Sequence, residues 1–364
     1  MNRQFKIREA TNQDSSRWDE FVNNNNGSFF QYYEWKKFYE LQGHKAFFIL
    51  AENSDRDILG IFPFVKTSMF LNTSIHSMPS SGRYGGPIAL DEKTEDLLLD
   101  FFDNICKKER ISYTYILLNP YRDTSKTVKK LLSLGFRPRY KEGKRPYTFI
   151  FKLGSSENIW KTNFSKNIRR KVRSAKRRGV EILDNQWKYL QDYYKMTLHI
   201  YKKLHNKLPL EKEFFMPFNL FDKNKIHIHI AHLNSKPIAM NCNYYTKKVC
   251  YMVGNVSISK YLSYHPNNLL AWFTIQDACN RGFEYVDFGS TAPNSSHFQW
   301  KKQYGGTPVP LQYYEKTYSP VKKFIREKTV RPRVMIRKLI WSKLVSHEKV
   351  NKMSPKMRKF LEWF

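Results

Sequence analysis

The chain has 364 residues, with 63 Lys+Arg against 32 Asp+Glu, a formal net charge of +31, and is 41% hydrophobic and 16% aromatic. That apolar content excludes disorder over most of the length, and the length suggests two domains. The four cysteines (Cys106, Cys242, Cys250, Cys279) stand far apart with no C-x-x-C pair, and no run reaches the roughly 18 apolar residues a membrane span needs. A reducing cytoplasmic setting without an N-terminal signal is expected.

Phe47–Glu52, a polar turn and Ile58–Phe64 read as an antiparallel hairpin. An amphipathic helix is expected over Thr94–Arg110 and a strand over Tyr113–Leu118. Leu131–Leu134 closes another helix at Gly135 before Phe136 begins a strand.

Residues 161–180 hold nine basic side chains and no acidic one. Within them Ser165 is an N-cap and Gly179 a C-terminal stop for a helix whose apolar stripe is Ile168, Val172 and Ala175. Lys166, Arg169, Arg170, Arg173, Lys176 and Arg177 surround the rest of that helix, either as a solvated face or as a surface for phosphates.

Ile228–Leu233, the turn Asn234–Pro237 and Ile238–Tyr244 repeat the first hairpin, with Ala231 lying 180 residues after Ala51. A helix over Pro266–Asn280, stopped by Gly282, and a strand over Phe283–Phe288 follow, as a helix and strand follow the first hairpin. One α/β unit is therefore used twice. His227 and His229 share a strand face, His232 lies on the other, and no acidic or cysteine ligand accompanies them, so no metal is expected. Asp287, at a strand end, reads as an orienting hydrogen-bond acceptor.

Residues 319–364 hold fourteen basic and three acidic side chains. Met335, Ile336, Leu339, Ile340 and Leu344 recur at helical spacing among Arg337, Lys338 and Lys343, and a second patch ends at Trp363 and Phe364. This basic amphipathic tail suits either an anionic membrane surface or the protein's own body.

Six segments in order, Phe29–Trp35, Ser80–Pro87, the basic helix ending Arg178-Gly179, Tyr251–Asn255, Asp287–Gly289 and Trp300–Gly305, resemble the Fem family of peptidoglycan-bridge aminoacyltransferases and related acetyltransferase-like (GNAT-fold) proteins. The resemblance implies an α/β (α+β) fold of two tandem GNAT domains with mixed sheets, followed by a basic helical C-terminal tail. Domain 1 would span 1–150 and be completed by 307–318, chiefly by a strand over Val309–Glu315. Domain 2 would span 151–306, and the tail 319–364.

The resemblance also implies transfer of an amino acid from aminoacyl-tRNA to an amine of a cell-wall precursor, a nucleotide- or lipid-linked peptide, at the inner face of the cell membrane. No cofactor is implied. Acyl-CoA enzymes of this fold hold pyrophosphate on a glycine-rich loop, and the matching stretch, Ser257–Asn268, has no glycine. The family's central aromatic–lysine pair corresponds to Trp300 and Lys301, the lysine as cationic stabiliser and the aromatic residue's carbonyl assisting the incoming amine. Substrate contacts fall on Lys36, Arg83, Tyr84, Lys207, Tyr251 and Tyr304, and phosphate contacts on the six basic side chains of the 165–179 helix. A lysine expected four residues after Trp35 is replaced by Tyr39. Glycines around Arg83 could present backbone N–H groups to an acceptor or simply make a tight turn. The alternatives are an N-acyltransferase acting on another envelope or exopolysaccharide amine, and a non-catalytic RNA- or membrane-binding relative.

Overall fold

The computed structural model describes residues 5–69, 72–78, 83–185, 187–203 and 211–319. Lys207 and the basic tail from 320 onward lie outside the described residues. The described chain divides into two compact units, 5–145 with 311–319, and 146–310.

In the first unit the described strands are β1 (Lys6–Glu9), β2 (Lys45–Glu52), β3 (Ile58–Met69), β4 (Asn72–Ser77), β5 (Ile88–Ala89), β6 (Tyr113–Leu117) and β7 (Arg137–Pro138). They form a sheet in the order β1-β2-β3-β4-β6-β15-β7, with β5 on β3 and β15 (Tyr313–Thr317) arriving from the far end of the described chain. Only β4 and β6 run parallel among these pairs, because the helix α3 (Glu92–Lys108) carries the chain across between them. The remaining helices are α1 (Ser15–Asn24), α2 (Glu34–Leu41) and α4 (Ser125–Ser133). Asp91 caps α3 by accepting from the Thr94 N–H, and Leu98, Leu99, Phe102 and Cys106 recur at helical spacing toward Phe62, Phe64 and Ile116. Each large side chain buried there contributes about 1.5–3 kcal/mol. A Cβ on Gly60 would stand 2.9 Å from Leu98 and Thr94, so glycine at this point lets α3 approach the sheet.

The second unit repeats this plan. Its strands β8 (Tyr147–Lys152), β9 (Glu181–Leu183), β10 (Ile226–Leu233), β11 (Lys236–Tyr245), β12 (Val249–Ser257), β13 (Tyr285–Thr291) and β14 (Thr307–Pro310) lie in the order β14-β8-β13-β12-β11-β10-β9. A single parallel pair, β12 with β13, again marks the crossover, here through α9 (Pro266–Asn280). The other helices are the short α5 (Ser156–Asn158), α6 (Lys166–Arg177), α7 (Leu190–Lys203), α8 (Glu211–Leu220) and α10 (Ser296–Lys302). The basic helix forms as its caps require. Ser165 Oγ accepts from the Ile168 N–H at 3.2 Å, Gly179 leaves the helix at φ +76°, and Ile168, Val172 and Ala175 bury against a core shared with α9.

One expected strand divides. Val309–Glu315 does not run as one element of the first unit. Thr307–Pro310 pairs with β8 in the second sheet, and only Tyr313–Thr317 reaches the first, between β6 and β7. Pro308 and Pro310 lack an N–H, which confines Thr307–Pro310 to a sheet edge, and the chain crosses over at the buried Leu311. Likewise β8 begins at Tyr147, within the span expected for domain 1.

Candidate active site

The parallel seam of the second unit opens. β12 and β13 pair only through Val249–Tyr251 and Tyr285–Asp287, although β12 continues to Ser257 and β13 to Thr291. Two irregularities start the divergence. The β11–β12 register shifts at Cys242/Asn243, leaving Val253 as a bulge, and the β13–β8 register shifts between Asp287 and Ser290, where Gly289 adopts φ +72°. Backbone groups of β13 beyond Asp287 therefore lose β12 as a neighbour, while Ser290 and Thr291 keep β8 on the other side.

Lys301 fills that gap. It lies on α10, capped by Ser295 Oγ accepting from the Phe298 N–H at 3.1 Å, and its Nζ donates to the carbonyls of Gly289 (2.7 Å) and Ser290 (3.2 Å). Lys301 is buried whereas its neighbour Lys302 is exposed. Burial pushes the Lys301 ammonium down to about 8, against the opposing pull of the Asp287 carboxylate. Asp287, 1% exposed, accepts from the Thr148 hydroxyl and from the Gly289 N–H at 2.7 Å, which holds the turn that aims the Gly289 carbonyl at Lys301. The expected role of Asp287 as an orienting acceptor matches this geometry.

The aromatic wall beside Lys301 explains the rest of the motif. Tyr304 is fully buried, with its ring centroid 4.9 Å from Trp300, 5.2 Å from Phe164 and 5.3 Å from Phe288, and its hydroxyl accepts from Asn268 Nδ2 at 2.8 Å. Burial raises that hydroxyl, so it stays neutral. Tyr304 thus ties α10 to the first turn of α9 and is a wall of the site. A Cβ on Gly305, at φ +84°, would sit 2.6 Å from the Asn163 carbonyl, so glycine is required where the chain turns past Asn163. Trp300 leans on Phe288 and its carbonyl accepts a 3.3 Å bond from the Gln303 N–H. Tyr251 occupies the last paired position before the opening, opposite Asp287.

On α6, Lys166, Arg170, Arg173, Lys176 and Arg177 are exposed, and among the described residues none of the six predicted cations has a carboxylate within ion-pair distance. Arg169 donates to the carbonyls of Trp160 (3.2 Å) and Lys161 (2.6 Å), Arg170 donates to Asn167 Oδ1 at 3.2 Å, and Arg173 lies over the Trp160 ring. Arg178, which is not among the six predicted phosphate contacts, stacks 4.0 Å over Tyr264 and donates to the Ser263 carbonyl.

The predicted substrate residues of the first unit have structural partners. Lys36 pairs with Glu9 at 3.1 Å and donates to the Ala10 carbonyl at 3.0 Å. Tyr84 is buried, and its carbonyl accepts from the Ser28 hydroxyl. Arg83 sits 4.2 Å over Trp35 and donates to the Tyr39 hydroxyl at 2.7 Å, so the tyrosine that replaces the expected lysine holds an arginine. The Gly85 N–H is spent on the Leu117 carbonyl and the Gly86 N–H on Ser77 Oγ, so the expectation that these two would present N–H groups to an acceptor gives way to a turn locked into the sheet. Residues missed in the sequence are Thr148, Asn268 and the carbonyls of Gly289 and Ser290. Gly289 lies inside the Asp287–Gly289 motif, but its backbone role had no side-chain signal.

Comparison with known proteins bears on the fold. Residues 162–302 match the acetyltransferase (GNAT) domain family. The solved structure of FemX shares 14% identity at a TM-score of 0.71, covering 88% of this chain and 99% of that one. L-PGS from Bacillus licheniformis shares 11% at 0.57, covering 89% and 98%, and a tandem GNAT protein from the clavulanic acid biosynthesis pathway shares 6% at 0.53, covering 87% and 99%. No curated protein matches. At these identities the likeness is one of fold: the chain has a Fem-like, tandem GNAT architecture, and the residues similar to the acetyltransferase domain family fall within its second unit.

Proposed function

We propose that the protein is an aminoacyltransferase that moves an amino acid from aminoacyl-tRNA to an amine of a peptidoglycan-type precursor peptide. The observation that carries this reading is the buried Lys301 ammonium at the opening of the β12–β13 seam. Two of its three N–H groups are taken by the Gly289 and Ser290 carbonyls, which leaves one to meet an oxyanion.

In the transfer the amine nitrogen attacks the ester carbonyl carbon of the aminoacyl group. The C–N bond forms, the C–O bond to the ribose breaks, and the proton lost by the amine ends on the ribose oxygen. Lys301 stabilises the tetrahedral oxyanion, and the Trp300 carbonyl receives an N–H of the attacking amine. No covalent enzyme intermediate is needed. A value near 8 keeps most of Lys301 charged at pH 7. The acid-free basic face of α6 supports a phosphate-bearing donor, and the names of the similar structures, FemX and L-PGS, point the same way. The absence of glycine from Ser257–Asn268 speaks against acyl-CoA. A second reading, an N-acyltransferase with another donor, rests on the match of residues 162–302 to the acetyltransferase domain.

The tail from 319 onward would bring an anionic membrane surface to the enzyme through its basic amphipathic pattern. Among the described residues no helix is long and apolar enough to cross a membrane.

Incubation with tRNA charged with labelled amino acid, together with a nucleotide- or lipid-linked precursor peptide, tests the proposal. Label should reach the peptide and RNase should abolish transfer. Transfer from acyl-CoA that survives RNase selects the second reading, and salt-sensitive RNA binding without transfer from any donor contradicts both.

A further inference from the structure

The histidines set aside in the sequence do have acidic company. Asp184, the residue after the edge strand β9, brings its carboxylate 3.2 Å from His229 Nε2 and 3.9 Å from His227 Nδ1. Asp277 of α9 lies 4.0 Å from the same His229 nitrogen. The expectation that no acidic ligand accompanies these histidines fails because Asp184 and Asp277 are distant in sequence and converge only through β9–β10 pairing and the packing of α9.

One ligand atom each from Asp184, His227 and His229 lies within 4.8 Å of the others. We propose that these three residues, with Asp277 as a fourth, bind a divalent transition-metal ion of the zinc class. Imidazole nitrogens and carboxylate oxygens are the donor set such ions prefer.

Three features support the assignment. His229 is fully buried, with Nδ1 3.0 Å from Thr274 Oγ1. With the proton on Nδ1, donated to Thr274, the Nε2 lone pair faces the Asp184 carboxylate and can take a cation between them; with the proton on Nε2 the same pair closes as a hydrogen bond, which the ion would replace. Next to it, the buried Asn243 Oδ1 has no hydrogen-bond partner; turning over the Asn243 and Asn241 amides together places that oxygen beside the Nδ1 proton, lets Asn241 Nδ2 donate to it, and lets Asn241 Oδ1 accept from the Thr274 hydroxyl. Finally, the sole cation beside the cluster among the described residues is Arg281, whose Nη1 is 3.0 Å from His227 Nδ1 and 3.3 Å from Asp277. Its guanidinium also lies 4.2 Å over the Tyr245 ring, a partner it retains when it releases His227 to the ion.

Tetrahedral bonds of about 2.1 Å would place the donor atoms ~3.4 Å apart, so the cluster must contract. Asp184 is exposed and follows the three-residue β9, so it can move inward. The bound ion would clip this short edge strand to β10 and α9, a structural role independent of the proposed catalysis.

The test is titration of the chelator-treated full-length protein with Co²⁺, followed by its visible d–d absorption and by displacement with Zn²⁺, alongside the melting temperature. A saturable one-to-one band, displaced by Zn²⁺ and accompanied by a rise in melting temperature, is expected. Asp184→Asn and His227→Gln should each weaken binding by at least about tenfold, and Arg281→Gln should strengthen it by removing the competing charge. Asp184 is exposed, so Asp184→Asn is informative even if His227→Gln does not fold. Absence of a saturable band overturns the proposal. So does a band of unchanged affinity in Asp184→Asn, which would place binding on other histidines.

Discussion

The two units share one strand order and one parallel seam, and differ in what happens where that seam ends. In the first unit β4 and β6 pair through Ser74–Ser77 and Tyr113–Ile116, and the ladder continues through a bridge from Gly85 to Leu118. In the second the strands part after Asp287, and the freed carbonyls meet a lysine. The helix after the crossover strand differs correspondingly. α4, between β6 and β7, buries Leu131, whereas α10, between β13 and β14, buries Lys301. A closed seam needs only apolar packing. An open one exposes backbone acceptors in a desolvated place, and a cation satisfying them is held ready for charge that develops nearby.

Exchanging the buried residue at each helix should separate stability from chemistry. Lys301→Ala is expected to lower kcat/KM for label transfer by about 10²-fold or more, while Lys302→Ala stays near wild type. Leu131→Ala should instead cost about 2–5 kcal/mol in denaturant unfolding and leave the transfer rate per folded molecule unchanged. Gly289→Ala forces a side chain into φ +72° and should cost about 1–3 kcal/mol, with a loss of rate as the Gly289 carbonyl turns from Lys301. Replacing Arg173, Lys176 and Arg177 with Gln should lower the slope of log affinity for tRNA against log salt by up to about 2, read by binding titrations at several salt concentrations. The smallest effect concerns stability. Lys301 titrates near 8 when folded and at its ordinary 10.5 when unfolded, so between these values unfolding takes up a proton. Wild type should therefore gain stability relative to Lys301→Met as pH rises from 8 to 10, and the difference should be flat below 8.

The repeat, the crossover helices and the capped basic helix were legible because Ala51 and Ala231, Ser165 and Gly179, and Pro266 and Gly282 are local signals with local causes. What escaped the sequence was carried by backbone or by distance. The prolines at 308 and 310 mark an edge strand, but which sheet it edges depends on β8. The seam opening rests on a bulge at Val253 and a turn at Gly289, and neither alters hydrophobic periodicity. Resemblance singled out Lys301, and its burial beside an exposed Lys302 distinguishes the two only in three dimensions. Asp184 lies 43 residues before His227, and nothing local connects them.

The pH dependence of transfer tests the role of the Lys301 ammonium most directly. With an acceptor amine already neutral over the range, kcat/KM for wild type should fall as pH rises through about 8, where the ammonium is lost. In Lys301→Arg, which stays charged, the residual activity should show no fall there. A wild-type rate that rises or stays level through pH 8, or the same falling limb in Lys301→Arg, would contradict the account.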